Sequence, residues 1–448
     1  MRKKLLFLTG MLALNINGQT SNPNFVFILV DDMGWTGSSV QMDDKIKNSI
    51  SDYYQTPNLE KLASNGVRFS NAYSPAALCS PSRASILTGK SPAQLHITTP
   101  GRPKKNSGSR KLIAPQHISE FPESEITIPE LLKSKGYVCA HFGKWHLNGG
   151  GPEQHGFEIS DGNTSNAPNS NFEENNPKDI FGITQRAEEF MAKNVKANKP
   201  FYVQLSHYAV HEPIACRNET LHAVEKWQKG NCHNNEKFAA MTKDFDTSVG
   251  MVLDKIKELG IADNTYIIFM SDNGAGKKAT GRKTNFPLRG GKGSFYEGGI
   301  RVPMIICGPE ISKNRICREK VIGYDLLPTI CQLAKITKLP ENIEGVSLKP
   351  LILSNGNIKR SKPLLFHFPH YGKGPRQKPQ SAIIDGNYKL IYNPEDKSVE
   401  LYDLSLDISE SKNLAKSDSE LTSKLKKLLQ QRLKEVGAQF TKENSTYN

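Results

Sequence analysis

Cys79 opens a stretch of sequence whose residue types and spacing suit anion chemistry. Residues 79–83 read Cys-Ser-Pro-Ser-Arg, and Ala-Ser-Ile-Leu-Thr-Gly follows. An N-cap at Ser80, a proline at the first helical position and Gly89 at the end predict a helix here. Cys79 would then lie at a helix N-terminus, where unpaired backbone N–H groups favour negative charge, with Arg83 one turn on. For a cysteine taken alone, a buried structural thiol is the alternative interpretation.

Two apolar, β-rich runs each end in oxygen-bearing side chains. The runs are residues 25–30 and 265–270, and they predict strands buried on both faces of a parallel sheet. The polar residues that follow them include Asp31, Asp32, Asp272 and Asn273. Open α/β sheets bind ligands at the carboxyl ends of their strands, and adjacent carboxylates repel unless a cation lies between them. These hard oxygens suit Ca²⁺ or Mg²⁺, whereas a helix cap or a surface turn is the alternative.

Two more predicted strands lead into titratable side chains. Residues 137–142 run into Gly-Lys-Trp-His, so Lys144 and His146 are two positions apart and face the same way in an extended segment. The next predicted strand, 200–206, is followed by two histidines. All of these side chains would reach the ligand-binding edge of the sheet. Considered singly, each histidine is also consistent with a structural role.

The string that begins at Cys79 resembles the signature of the formylglycine-dependent sulfatases, Cys-x-Pro-x-Arg followed by Ala-Ser-Ile-Leu-Thr-Gly. The segment ending in Gly-Lys-Trp-His resembles their second signature, and residues 287–303, which carry Lys292 among glycines, resemble a third. In this family an enzyme oxidises the cysteine to an aldehyde, and a hydroxyl of its hydrate attacks the sulfur of a sulfate ester. The resemblance covers nearly the whole mature chain. It implies an alkaline-phosphatase-like α/β fold, with a large, mostly parallel sheet flanked by helices and a small C-terminal α+β subdomain.

The resemblance also implies a role for each matching side chain. The implied catalytic residues are Cys79, Arg83, Lys144, His146, His211 and Lys292. The implied ligands of Ca²⁺, or alternatively Mg²⁺, are Asp31, Asp32, Asp272, Asn273 and modified Cys79. The expected substrate contacts are His207 and His367. Arg83 would steady the hydrated aldehyde, and Lys144 and Lys292 would bind sulfate oxygens. His211 would help to protonate the departing alcohol, and His146 would take the proton of the second hydroxyl.

The chain divides into three predicted parts. Residues 1–18 resemble a secretory signal; an uncleaved anchor is the alternative, but the apolar run is short for a span of about 20 residues. We therefore expect an exported enzyme, periplasmic or secreted, with no stable membrane insertion. A catalytic domain over 22–360 and a subdomain over 361–448, with an antiparallel hairpin and an amphipathic helix, complete the organisation. Within the catalytic domain, the polar residues 160–179 predict an exposed insertion.

The formal net charge of +14 indicates polyanionic partners. No nucleic-acid-binding module is recognisable, so we expect no nucleic acid. The basic residues 99–116 would either line an anionic cleft or form a solvated loop. Together with export, these features favour a sulfated polysaccharide or oligosaccharide as substrate. The resemblance adds a formylglycine-generating enzyme as a partner in maturation.

Seven cysteines in an exported chain permit disulfides. Cys216 and Cys232 flank one polar loop, and Cys307 and Cys317 flank another. Each pair is a candidate for a local disulfide.

Two other functions are compatible with the same residues. A phosphomonoester or phosphonate ester hydrolase could use the same core and cation ligands. A noncatalytic protein that binds sulfated glycans would keep Cys79 as a thiol. For His367, which lies at the start of the C-terminal subdomain, a surface or structural role is as consistent with the sequence as a substrate contact.

Overall fold

Helices and strands alternate along most of the chain. The computed structural model describes residues 22–101, 109–166, 173–276, 283–354, 356–372 and 377–447. The helices are α1 (Pro57–Ser64), α2 (Cys79–Thr88), α3 (Pro92–Leu95), α4 (Ile128–Lys133), α5 (Ile180–Lys196), α6 (Asn218–Val224), α7 (Glu236–Glu258), α8 (Glu297–Ile300), α9 (Leu326–Leu333), α10 (Lys349–Leu353) and α11 (Ser419–Glu435). The strands are β1 (Asn24–Val30), β2 (Gly66–Phe69), β3 (Ala72–Tyr73), β4 (Leu112–Ile113), β5 (Val138–Gly143), β6 (Ile159–Ser160), β7 (Phe201–Ser206), β8 (Thr265–Ser271), β9 (Met304–Cys307), β10 (Arg315–Cys317), β11 (Val321–Ile322), β12 (Leu364–Phe368), β13 (Gln380–Asp385), β14 (Tyr388–Asn393), β15 (Ser398–Asp403) and β16 (Lys442–Glu443).

Some predicted features fall outside this description. The signal segment, 1–18, the centre of the basic segment, 102–108, and the centre of the polar insertion, 167–172, lie outside the described residues. Among the helices that are described, none combines the length and the apolar character needed to cross a membrane.

An eight-stranded sheet forms the centre of the fold, in the order β10-β2-β9-β8-β1-β7-β5-β6. Its strands pair in parallel, except that β9 runs antiparallel to both β2 and β8. Crossover helices connect the parallel strands, as that geometry requires. The predicted α/β fold with a large, mostly parallel sheet is therefore confirmed.

The side chains of β1 alternate between two hydrophobic cores, one on each face of the sheet. One core holds Phe25, Phe27 and Leu29, and the other holds Val26, Ile28 and Val30. Helices α1, α5 and α7 contribute to the second core, and α2, α4 and α9 to the first. Burial on both faces explains why the strand is apolar at every position, and each large side chain contributes about 1.5–3 kcal/mol to stability.

The register of the sheet aligns the carboxyl ends of four adjacent strands. Val30 pairs with Ser271 of β8, and Leu29 pairs with Ser206 of β7. Ser206 in turn pairs with Gly143 of β5. The residues that come next in the chain, Asp31, Asp272, His207 and Lys144, are thereby brought to one edge of the sheet.

Gly143 fixes the direction in which the chain leaves β5. Its φ is +94°, a conformation that residues with a side chain rarely adopt. A Cβ at this position would lie 2.2 Å from the carbonyl oxygen of Ser206, so β5 approaches β7 too closely for any side chain. The carboxylate of Asp161 accepts the Gly143 N–H at 2.7 Å and holds this end of the strand. Lys144 is positioned by these constraints.

A second, four-stranded antiparallel sheet, β12-β13-β14-β15, lies near the C-terminus and carries α11. The hairpin between β13 and β14 turns at Gly386, with φ +53°, as the sequence predicts. The buried face of α11 consists of Leu425, Leu429, Leu433 and Arg432. The hairpin and the amphipathic helix are confirmed, while the limits 22–360 and 361–448 stay a prediction.

The predicted local disulfides are wrong, because all seven cysteines are free thiols. Cys307 in β9 and Cys317 in β10 lie on opposite sides of β2. Two strand spacings of about 4.8 Å separate such positions, which exceeds the Cα separation of about 4.4–6.8 Å in a disulfide. Cys216 packs against the hydrophobic core, whereas the backbone N–H of Cys232 donates to Asp52 at 2.8 Å.

Replacing Gly143 by alanine should cost more stability than the same change at Gly136. Both glycines have positive φ, but a Cβ at Gly136 would have nothing within 4 Å. We expect Gly136→Ala to lower the free energy of unfolding by about 1–2 kcal/mol from backbone strain alone. Gly143→Ala should add about 1–3 kcal/mol from overpacking against β7. Urea denaturation of the two variants measures this difference, and equal losses would show that the approach to β7 is not limiting.

Candidate active site

Asp31 and Lys144 form a fully buried ion pair at the carboxyl edge of the sheet. The Lys144 Nζ lies 2.5 Å from Asp31 Oδ2, and neither side chain is exposed. Burial opposes ionisation of Asp31, but Lys144, His211 and Arg83 together hold the pKa of this carboxyl well below its usual range. Asp31 therefore stays a carboxylate, and the pair brings opposite charges from β1 and β5 to one point.

Cys79 lies beside this pair, at the first residue of α2. The helix begins two residues earlier than predicted, since Leu78 is the N-cap and Ser80 donates its hydroxyl to the His146 carbonyl at 2.7 Å instead. The Cys79 Sγ lies 3.5 Å from Asp31 Oδ1. Burial and the Asp31 carboxylate raise the pKa of this thiol to about 12, so at neutral pH it is protonated.

Arg83 connects α2 to two strand ends. Its Nε and Nη2 donate to one oxygen of Asp272 at 3.0 and 2.8 Å, and its Nη1 donates to the Lys144 carbonyl at 2.6 Å. Burial and the nearby Asp31 raise the pKa of Asp272 to about 6, and Arg83 opposes that rise. A guanidinium is suited to this position because its planar fork donates in several fixed directions at once.

Lys292 enters the same cluster from the glycine-rich segment before α8. Its Nζ lies 2.6 Å from Asp32 Oδ1 and 3.2 Å from Cys79 Sγ. Burial opposes protonation of Lys292, but Asp32 and Cys79 hold its pKa well above the usual range. The backbone N–H of Lys292 donates to the Ala275 carbonyl at 3.1 Å, which ties this loop to the segment after β8.

The donor set around Asp31 and Asp32 fits a hard divalent cation. Potential ligand atoms of Asp31, Asp32, Cys79 and His211 all lie within 4.8 Å of one another. Asn273 donates its amide N–H to Asp32 at 2.7 Å, while its buried Oδ1 accepts no hydrogen bond from any described residue. Carboxylates and an orphaned amide oxygen are the ligands that Ca²⁺ and Mg²⁺ prefer. Asp272 Oδ1 lies next to Asp32, whose backbone N–H it accepts at 3.2 Å.

Two of the predicted catalytic histidines lie in this cluster. His211 Nε2 is 3.8 Å from Asp32 Oδ2, and burial lowers the pKa of His211 although Asp31 and Asp32 oppose the change. His146 has a left-handed φ of +55°, and burial together with Lys144 and Arg83 lowers its pKa to about 2. Both imidazoles are therefore neutral near pH 7 in the absence of a bound anion.

The two predicted substrate contacts are placed elsewhere. His207 is 1% exposed and packs edge-on against Phe245, with ring centroids 5.0 Å apart, so it is part of the core. His367 bonds Ser381 Oγ at 2.8 Å and the Gln439 carbonyl at 2.7 Å, so both of its ring nitrogens are engaged within the C-terminal part of the chain. His207 is thus packed among core side chains and His367 against the C-terminal sheet, and their assignment as substrate contacts stays a prediction.

The predicted exposed insertion, 160–179, is exposed at residues 163, 165, 166 and 173–175, whereas residues 164, 177 and 178 are buried. Thr164 accepts the Trp145 N–H at 2.8 Å and donates to a β5 carbonyl at 2.6 Å. Lys178 is fully buried; burial lowers its pKa to about 8, and Asp31 opposes that change. The segment therefore supports the loop after β5. Its polar side chains satisfy backbone groups of distant strands, a role for which the sequence carries no periodic signal.

Three carboxylates, three fixed cations and two neutral imidazoles thus surround Cys79. The carboxylates are Asp31, Asp32 and Asp272, and the cations are Arg83, Lys144 and Lys292. Such a cluster can hold a divalent cation and the oxygens of an anionic group in one place. At the carboxyl edge of a parallel α/β sheet, these features define a hydrolase that acts on an anionic ester.

Comparison with known proteins gives the family. The Sulfatase family profile matches residues 23–336, and that of N-sulphoglucosamine sulphohydrolase, C-terminal, matches residues 291–439. A sulfatase from Formosa agariphila is 30% identical over 91% of this chain and 88% of its own length. An N-acetylgalactosamine-6-sulfatase from Canis lupus familiaris is 28% identical, covering 92% of this chain and 80% of its own. The crystal structure of Ps i-CgsB in complex with k-i-k-neocarrahexaose is similar in fold, with TM-score 0.76, 24% identity and coverage of 92% and 93%.

The chain belongs to the sulfatase family of the alkaline-phosphatase-like superfamily. It is a sulfuric ester hydrolase. The likeness in fold to the crystal structure extends over nearly the whole chain.

In folded protein whose Cys79 is still a cysteine, this residue should resist alkylation at pH 8. A thiol with a pKa of about 12 and 2% exposure presents almost no thiolate to a reagent. Cys232, which lies in a polar loop and is only partly buried, serves as the internal control. Iodoacetamide treatment followed by peptide mass spectrometry should label Cys232 well before Cys79, and denaturant should remove the difference. Equal labelling of both in the folded protein would contradict the buried, protonated thiol.

Proposed function

We propose that this sulfatase works through a formylglycine made from Cys79, with a divalent cation held by Asp31, Asp32, Asp272 and Asn273. The observation that carries the proposal is the position of the Cys79 Sγ, 3.5 Å from Asp31 and 3.2 Å from Lys292. A protonated thiol is a poor nucleophile, which favours an oxidised residue as the reactive group. Formylglycine would supply an attacking hydroxyl through its hydrate, and Ca²⁺, or alternatively Mg²⁺, would supply positive charge beside it.

The charge balance of the cluster supports an anionic substrate. The three carboxylates and the three fixed cations described above offset one another. A divalent cation would leave an excess of two positive charges in a buried, low-dielectric basin, where electrostatic attraction is stronger than in water. A sulfate ester, which carries one negative charge, complements that excess.

The remaining side chains can be given roles from their positions. Lys144 is paired with Asp31 and Lys292 with Asp32, and each would donate to sulfate oxygens. Arg83, which holds Asp272, would orient the hydrated aldehyde. His211 lies at the more exposed side of the cluster, with 20% of its side chain accessible, where a departing alcohol would leave. We assign it the proton that the leaving group takes up.

We assign to His146 the removal of the proton from the second hydroxyl of the hydrated aldehyde. Its Nδ1 is buried and has no hydrogen-bond partner among the described residues. Lys144 and Arg83 help to keep the ring neutral, so its free nitrogen can accept a proton. A bound sulfate would raise the pKa of His146 through its negative charge, and the imidazole would gain basicity at the step in which sulfate is expelled.

The substrate class we propose is a sulfated polysaccharide or its oligosaccharides. A curated relative is named for a sulfated sugar, N-acetylgalactosamine-6-sulfate, and a structure of similar fold holds an oligosaccharide. The net charge of +14 suits a polyanionic chain. We further propose that the enzyme is exported, periplasmic or secreted, and that a formylglycine-generating enzyme matures it.

Protein from the native host should carry the aldehyde at position 79. Peptide mass spectrometry should find the mass loss that corresponds to replacing CH₂SH by CHO. Cys79→Ala should abolish sulfate release from sulfated sugars, with kcat/KM lower by about 10⁴-fold or more because the nucleophile is absent. Cys139→Ala, in a core thiol on β5 outside the cluster, is the matched control and should stay active. An unmodified, fully active Cys79 would contradict the formylglycine, and faster cleavage of matched phosphate esters would contradict the preference for sulfate.

Calcium should stabilise the protein through Asn273. Since the cation binds the folded state, adding it at about 100 times its Kd should raise the free energy of unfolding by about 2.7 kcal/mol. Asn273→Ala removes the orphaned Oδ1 and should abolish most of that gain. Asn194→Ala, at a buried asparagine of α5 that bonds the Phe190 carbonyl, should keep it. Thermal melts with calcium and with EDTA measure both, and an equal calcium effect in the two variants would place the ion elsewhere.

A further inference from the structure

The loop that carries Lys292 is closed at its base and contacts the C-terminal sheet. The Gly298 N–H donates to the Arg289 carbonyl at 2.8 Å, so residues 289–298 form a closed loop. Near its centre, the Gly293 N–H donates to the Ala77 carbonyl at 2.8 Å. These backbone bonds fix the shape of the loop, and both of its ends are also bonded to a residue from outside it.

Glu410 contacts both ends of this loop. Its Oε2 accepts the backbone N–H of Glu297 at 2.7 Å, at the end of the loop that leads into α8. Its backbone carbonyl accepts a hydrogen bond from Arg289 Nη1 at 3.0 Å, at the other end. Glu410 lies in the connection after β15 and has a φ of +53°, which is uncommon for a residue with a side chain. A residue of the C-terminal part of the chain therefore holds the catalytic loop at both of its ends.

A buried cation binds Glu410 and the loop together. Lys389 Nζ of β14 lies 2.5 Å from Glu410 Oε1 and 2.8 Å from Glu297 Oε1, and all three side chains are inaccessible to solvent. Arg301 and Tyr73 also bond Glu297, at 3.2 and 3.0 Å. Burial raises the pKa of Glu410 to about 7, with Lys389 opposing that rise.

This buried arrangement is costly to maintain. Ion pairs in a protein interior stabilise less than apolar packing of the same volume, because both partners lose their hydration. Their directional contacts do fix geometry, however. The contacts of Glu410 fall on the two ends of the one loop that presents Lys292 to Asp32 and Cys79. The network of Glu410, Lys389 and Glu297 therefore bears on where the Lys292 ammonium lies.

We propose that Glu410 is a positioning residue for Lys292, through which the C-terminal sheet sets the geometry of the active site. The proposal rests on the proposed function in assigning Lys292 to sulfate. Glu410 does not touch the reacting atoms; it holds the loop so that the Lys292 ammonium meets the charge that develops in the transition state.

Glu410→Ala removes the acceptor of the Glu297 N–H and one partner of Lys389. We expect kcat to fall by about 10-fold to 100-fold, as small displacements of catalytic groups do, with KM changed by about twofold or less. Backbone amides of residues 290–298 should exchange hydrogen faster in mass spectrometry. Glu410→Asp keeps the charge but withdraws the oxygens by one methylene, so it should shift both measurements in the same direction by a smaller amount. It also keeps the proposal testable if the alanine variant does not fold.

Glu344 offers a matched control. It is a buried carboxylate that pairs with Arg432 of α11 and accepts the Ser91 N–H at 3.1 Å, but it has no contact with residues 289–298 among those described. Glu344→Ala and Glu344→Asp should lose stability without faster exchange in the loop and without a change in kcat.

The exchange measurement does not depend on turnover, so it separates the two proposals. Wild-type exchange and wild-type kcat in a folded Glu410 variant would overturn the positioning role. The same fall in kcat in the Glu344 variants would also overturn it, because the effect would then reflect general destabilisation. A fully active wild-type enzyme whose Cys79 is unmodified would refute the proposed function, while loop exchange would still decide whether Glu410 holds the loop.

Discussion

The buried pairing of Asp31 with Lys144 is the interaction on which the rest of the site depends. A carboxylate and an ammonium with no exposure to solvent are tolerated only when each is compensated from several directions. The positive groups Arg83, Lys144 and Lys292 act on Asp31 from three separate segments, and the thiol of Cys79 lies against its other oxygen. The same compensation brings three cations together near Cys79, an arrangement that suits an anionic ester. The charges that balance one another in the interior are thus the same charges that form the site.

The sheet makes that arrangement possible because its strands end in register. Strands β8, β1, β7 and β5 are neighbours, and their last residues pair with one another. Each strand is held by two hydrophobic cores, so the residues that follow have little freedom to move. Arg83 and Lys292 come instead from a helix and a loop that pack onto this edge. Arg83 Nη1 donates to the Lys144 carbonyl, and the loop that carries Lys292 is contacted at Glu297, whose N–H donates to Glu410.

The C-terminal part of the chain therefore also contacts the loop that carries Lys292. Its own core is a separate cluster in which α11 packs on the four-stranded sheet. Its contacts with the catalytic loop include polar, directional ones: Tyr296 donates its hydroxyl to Glu400, and Arg289 donates to the Tyr402 hydroxyl at 2.8 Å. Such contacts determine orientation, whereas the apolar cores supply most of the stability.

The sequence by itself determined the four central strands of the main sheet, the residues at their carboxyl ends and the cluster around Cys79. Apolar periodicity and the residue types at strand ends are local properties, so they can be recognised from neighbouring residues in the sequence. Only the tertiary structure decided which of those strand-end side chains face the site. His207 and His367 had the chemistry of substrate contacts, but one packs against Phe245 and the other bonds Ser381. Thr164 and Glu410 gave no signal, because their partners lie in other segments of the chain, and such partners are fixed by packing and not by local pattern.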